Sequence, residues 1–137
     1  MFDLFKRVRR DDPVFGSMLY MGDKLEYWEG KAHFSPTGTE IEVFVSGTSD
    51  DSMSQQHGFY ETVCLRWSEW SPQITAKVRL EAQPDSREGL EVSSMSIPKS
   101  GFIADAEWEV SFSAQSSAYV YTVQMKGANP ESVACDR

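Results

Sequence analysis

Apolar and polar residues along the chain follow two different periods. Val14 to Tyr20 (VFGSMLY) is an apolar run between the turn-forming stretches Asp11-Asp12-Pro13 and Met21-Gly22-Asp23-Lys24, which predicts a strand. Leu25 to Phe34 (LEYWEGKAHF) reads as the return strand. Its apolar residues change parity between Tyr27 and Trp28, and Gly30 follows, so a bulge or a close backbone approach is expected there. Ser35-Pro36-Thr37-Gly38 supplies a tight turn. Thr39 to Ser46 (TEIEVFVS) alternates, with Ile41, Val43 and Val45 on one face and Glu40 and Glu42 on the other. These three strands with short turns predict a meander.

The period then changes. Phe59, Val63, Trp67, Trp70, Ile74 and Val78 recur every three or four residues and form one helical face. Pro72 falls inside this stretch, where it removes a hydrogen bond and clashes with the preceding turn. Ser71 as a cap with Pro72 at a first helical position therefore predicts two helices, 54–70 and 72–83, abutting or forming one kinked rod. Trp67 and Trp70 share the stripe of Val63 and Ile74 and are expected in the core. Three more strands follow: Leu90 to Ile97 with a parity slip at Ser93-Ser94, Ala106 to Ala114, and Ala118 to Met125. In the second of these Trp108, Val110 and Phe112 face one way, and Glu107 and Glu109 the other.

The predicted fold is thus α+β: three strands, two abutting helices and three strands, with the helices packed on one face of antiparallel sheet. Residues 1–12 read as a basic arm, 13–127 as one domain and 128–137 as a polar tail. If the strands share one sheet, its uncovered side carries Glu40, Glu42, Glu107 and Glu109, as the polar side of a one-sided antiparallel sheet should.

Charge sharpens this picture. The 137 residues carry 21 acidic and 13 basic groups, for a net charge of −8. Residues 1–10 (MFDLFKRVRR) hold four of the basic groups and one of the acidic ones, which leaves 20 acidic against 9 basic groups in the rest of the chain. Such a body repels nucleic acid phosphates and attracts basic proteins; acidity that only maintains solubility is the plainer reading. In the arm, Phe2, Phe5 and Arg9 have helical spacing, which suits a segment packed on the body, with a weak membrane-surface foot as the other reading. No apolar run reaches transmembrane or signal-peptide length, and no stable membrane insertion is expected. Cys64 and Cys135 are too few for a disulfide scaffold and fit a reduced, cytoplasmic chain.

Motifs for chemistry are sparse. His33, His57, Cys64 and Cys135 match no zinc spacing, so neither a metal nor a cofactor is expected. His57, beside Gly58, reads as an exposed or capping residue. There is no nucleophile elbow and no phosphate-binding glycine loop. Asp50-Asp51 is the densest carboxylate pair in the central loop and the candidate for acid/base work; a solvated pair, support for the start of the next helix and a partner-binding surface are the other readings.

The opening Asp12-Pro13-Val14-Phe15-Gly16, Leu19-Tyr20 and Tyr27-Trp28-Glu29-Gly30, with the closing Ala106 to Phe112 and Tyr119-Val120-Tyr121, resembles small bacterial domains associated with immunity to polymorphic or contact-dependent toxins. The resemblance implies a cytoplasmic, non-enzymatic inhibitor that binds a basic toxin, and it carries no catalytic residue over. The partner-binding residues expected from the chain itself are Asp50, Asp51, Glu40, Glu42, Glu107 and Glu109. A small-ligand or hydrolytic enzyme with a pocket between helix and sheet, and an accessory subunit docking through the arm, are the competing expectations.

Overall fold

The computed structural model describes residues 8–84, 87–102, 104–115 and 117–136. Eight strands form one sheet: β1 (Arg9–Asp12), β2 (Gly16–Tyr20), β3 (Tyr27–Phe34), β4 (Thr39–Ser46), β5 (Glu91–Ile97), β6 (Glu107–Ser113), β7 (Val120–Lys126) and β8 (Asn129–Asp136). One helix, α1 (Ser54–Glu81), joins β4 to β5. Spatial order in the sheet equals sequence order. Every pairing is antiparallel except β4 with β5, which is parallel and needs the long crossover that α1 provides.

This corrects the predicted order of three strands, two helices and three strands. The helical stretch is one continuous 28-residue helix with Pro72 inside it. An interior proline costs about 3 kcal/mol. Here it is exposed, and so is Ser68, the residue whose carbonyl loses the bond, so that carbonyl lies on the outer side of the helix. The same helix buries Trp67, Trp70, Ile74 and Val78 across the proline, at roughly 1.5–3 kcal/mol each, which outweighs the penalty. The two strands beyond the expected six are β1, at the end of the basic arm, and β8, where a polar tail is expected. The rest of the arm, including Phe2 and Phe5, lies outside the described residues.

The core lies between α1 and one sheet face. Trp28, Phe34, Ile41, Val43, Val45, Met95, Ile97, Trp108, Val110, Tyr121 and Val123 are buried from the sheet side. Phe59 meets Trp108 edge-on at 5.2 Å, and Trp67 meets Phe34 in the same way at 5.2 Å. Trp67 and Trp70 are both buried, as their stripe requires. Most of the close backbone approaches of α1 to the sheet are to β8.

Two irregularities follow the sequence. The slip at Ser93 is a register shift between Val92 and Ser94 against β6. At Gly30 a β-carbon would lie 2.5 Å from the carbonyl oxygen of Phe15, so the close approach demands glycine. Strands β2 and β3 pair only at Leu19–Glu29 and Tyr20–Trp28. Beyond that the chain folds across, and the N–H of Lys31 donates to the carbonyl of Phe15 at 3.1 Å.

Candidate functional site

The sheet face opposite α1 is built by alternation. Because Val43, Met95 and Val110 are aligned on the core side, their neighbours Glu42, Ser94 and Ser111 form a row on the open side. Lys31 extends that row on β3, and Thr122 extends it on β7. The next row runs Leu19, Glu29, Phe44 and Ser96 across β2 to β5. Glu109 adjoins it, and its backbone N–H donates to Ser96 Oγ at 2.7 Å. Glu40 faces His33 across β3–β4, and Glu107 faces Lys126 across β6–β7.

The single sheet therefore gathers Glu40, Glu42, Glu107 and Glu109 on one face. Glu40, Glu42 and Glu107 are exposed, and Glu109 is half-buried, with its carboxylate accepting from Gln124 Nε2 at 2.5 Å. Serines of β5 and β6 separate the two glutamate pairs.

Asp50 and Asp51 do not join this face. They lie in the β4–α1 loop, where Asp51 bonds the residue that precedes the helix. Asp51 accepts the N–H of Met53 at 2.9 Å, and its carbonyl accepts from Arg10 Nη1. Asp50 accepts the hydroxyl of Thr48 at 2.8 Å. Arg10 also lies 5.8 Å from the ring centre of Trp28, whose indole N–H donates to the carbonyl of Thr48. Met53 itself is in the left-handed region (φ 69°) and fully buried, so this loop is a fixed corner.

The residues missing from the sequence-derived site are Leu19, Glu29, Lys31 and Phe44. They line a groove of about 410 Å³ on the open face, together with Glu40 and Glu42. Along the groove β2 and β3 keep regular register for only two residue pairs before the irregular Phe15–Lys31 contact. The signal for Phe44 is its parity: along Thr39 to Ser46 it is an aromatic ring in step with Glu40 and Glu42 rather than with Ile41, Val43 and Val45. Tyr27, on the same side, meets Phe44 edge-on at 6.4 Å and donates its hydroxyl to Glu29 Oε2 at 3.2 Å.

A second polar centre ties β1 to α1. The Asp12 carboxylate, 2 % exposed, accepts the N–H groups of Val14 and Phe15 at 2.9 Å each and lies 2.9 Å from His57 Nε2. Burial pushes this carboxyl upward, but the two backbone donors and His57 outweigh it and hold it below the usual carboxylate value. His57 is thus a half-buried partner packed on the ring of Phe15, not a free surface group or a cap. Nearby, burial raises the Cys64 thiol, against the pull of Ser35 and Tyr60, and pushes the Tyr60 phenol far up. Tyr60 donates instead to the carbonyl of His33 at 2.9 Å.

Between helix and sheet, where a ligand pocket is one expectation, Phe34, Phe59, Val63, Trp67 and Trp108 are all buried. Among the described residues no group of three or more His, Cys, Asp or Glu side chains is placed to hold a metal ion. Nor is any described helix long and apolar enough to cross a membrane. Comparison of the chain with family models, curated proteins and solved structures finds no match.

Proposed function

We propose that this chain is a non-enzymatic binding domain whose open sheet face takes a basic protein, and that this partner is a bacterial toxin neutralised in the cytoplasm. The observation that carries the binding reading is the set Glu40, Glu42, Glu107 and Glu109, which one sheet displays together on the face away from its helix. A face on which carboxylates outnumber cations speeds encounter with a basic partner, and well-packed anchors then set the lifetime of the complex. Nucleic acid is disfavoured as the ligand, because these carboxylates repel phosphates. The toxin assignment rests on the resemblance of the opening and closing strands to immunity domains, and the cytoplasmic placement is supported by Cys64 and Cys135 being free thiols.

Co-expression with the product of the gene beside its own tests the reading. The expected results are a stable complex, rescue of growth, and association that slows as salt rises. Each of the double reversals E40K/E42K and E107K/E109K should slow association by about tenfold. The absence of a complex, or a complex that forms equally fast with both pairs reversed, would end the proposal.

A further inference from the structure

The groove between β2 and β4 combines two chemistries that one side chain satisfies together. Its apolar part is Leu19 and Phe44; its charged part is Glu29, Glu40 and Glu42 against Lys31, with Arg9 of β1 opposite Leu19 at its rim. Phe44 has Glu29 directly opposite on β3 and Glu42 two residues back on β4, so its ring lies between two carboxylates on the same face. Glu29 is oriented in advance by the hydroxyl of Tyr27.

We propose that this groove is an arginine pocket, receiving one arginine side chain of the protein partner with its guanidinium over Phe44, between Glu29 and Glu42, and its stem along Leu19. The inference rests on the binding reading of the open face and names the anchor within it. An anion is repelled by three carboxylates. An uncharged apolar group strips water from those carboxylates without pairing them. A lysine ammonium supplies the charge but neither the planar fork for two carboxylates nor the surface that stacks on a ring. A groove of this size falls within the range of small-ligand pockets, enough for one side chain and the backbone on either side of it. Lys31 faces Glu42 across the strand pair and competes with the incoming guanidinium.

The probe is N-acetyl-arginine amide, titrated to about 100 mM, since a single side chain binds in the millimolar range, with backbone amide shifts as readout. The expected result is saturable shifts confined to residues 16–19, 29–31 and 42–44. The citrulline analogue, equal in shape but uncharged, should bind about tenfold more weakly, as should the E42Q and F44A variants. K31Q should bind more tightly. F44L serves as a folding control that keeps the apolar floor and removes the ring. Scattered or unsaturable shifts, or equal binding of citrulline, overturn the pocket. So does an intact partner whose affinity ignores F44A while E107K/E109K weakens it; in that outcome the binding face stands and only the anchor is wrong. If E107K/E109K and E40K/E42K are also without effect, the binding reading itself has failed.

Discussion

Asp12 and His57, 45 positions apart in sequence, meet with a carboxylate-to-Nε2 distance of 2.9 Å and so bind the β1–β2 turn to the first turns of α1. The same carboxylate holds two backbone N–H groups, so its removal leaves buried donors unpaired. Asp12→Ala is expected to cost about 3 kcal/mol at neutral pH in denaturant unfolding. Because the carboxyl lies below its ordinary value in the folded chain, its contribution is present above the unfolded-state value of about 3.9. It is lost as pH falls through the folded-state value. The gap between wild type and Asp12→Ala should therefore narrow below about pH 4. A gap that stays constant from pH 7 to pH 3 would show that the charge is not what stabilises the turn.

Pro72 is exposed and breaks no packing, yet it forfeits a helical hydrogen bond. Pro72→Ala should stabilise the domain by about 1–3 kcal/mol. In a chain of this size each kcal/mol raises Tm by about 2–4 °C, visible in a thermal melt. A lower Tm would mean that the proline is needed for the path of the helix.

Gly30→Ala should be far costlier than a surface exchange, because the new methyl group meets the carbonyl of Phe15 at 2.5 Å. Gly127→Ala meets the carbonyl of Ala104 from a residue with φ +58°. A loss of about 2 kcal/mol or more is expected at each. Gly58→Ala, whose methyl group meets nothing, is the control and should be neutral or stabilising. Equal unfolding midpoints for the three variants would contradict these contacts.

The two thiols should separate cleanly in a labelling experiment. Cys135 is exposed on β8, whereas Cys64 is half-buried and burial raises its thiol. An aromatic disulfide reagent at neutral pH should modify Cys135 quickly and Cys64 only slowly, with both reacting at once in denaturant. Faster modification of Cys64 in the native protein would refute the assigned environment.

Much of this architecture was legible in the chain, and its illegible parts have physical causes. Alternation identified the strands that bury one face, from Ile41-Val43-Val45 to Trp108-Val110-Phe112, and the helical stripe from Phe59 to Val78. It failed for β1 and β8, because Arg9-Arg10-Asp11-Asp12 and Asn129 to Asp136 are edge strands held by ladder pairing with little apolar burial. Local propensity divides the helix at Pro72 because it does not see the tertiary burial that overrides it. At the site, the four glutamates followed from alternation. The groove does not, because it depends on how β2, β3 and β4 lie side by side, a relation between strands rather than within one. Asp50 and Asp51 lie apart from that face and bond within their own loop, which charge density in the sequence does not by itself distinguish from a binding surface.

The parallel seam between β4 and β5 has a consequence for how the domain comes together. On either side of it every strand pairs with its sequence neighbour, so residues 9–46 and 91–136 each make their ladders locally. Closure of the seam alone requires joining strands separated by the whole length of α1, and it carries the largest loop-closure cost. Until it closes, each half presents a bare inner strand rich in valine, isoleucine or methionine. Substitutions there should slow assembly and favour aggregation, whereas those in the hairpin turns should mainly hasten unfolding. The helix is thus both the cover of the core and the tether that sets how fast the two halves find each other.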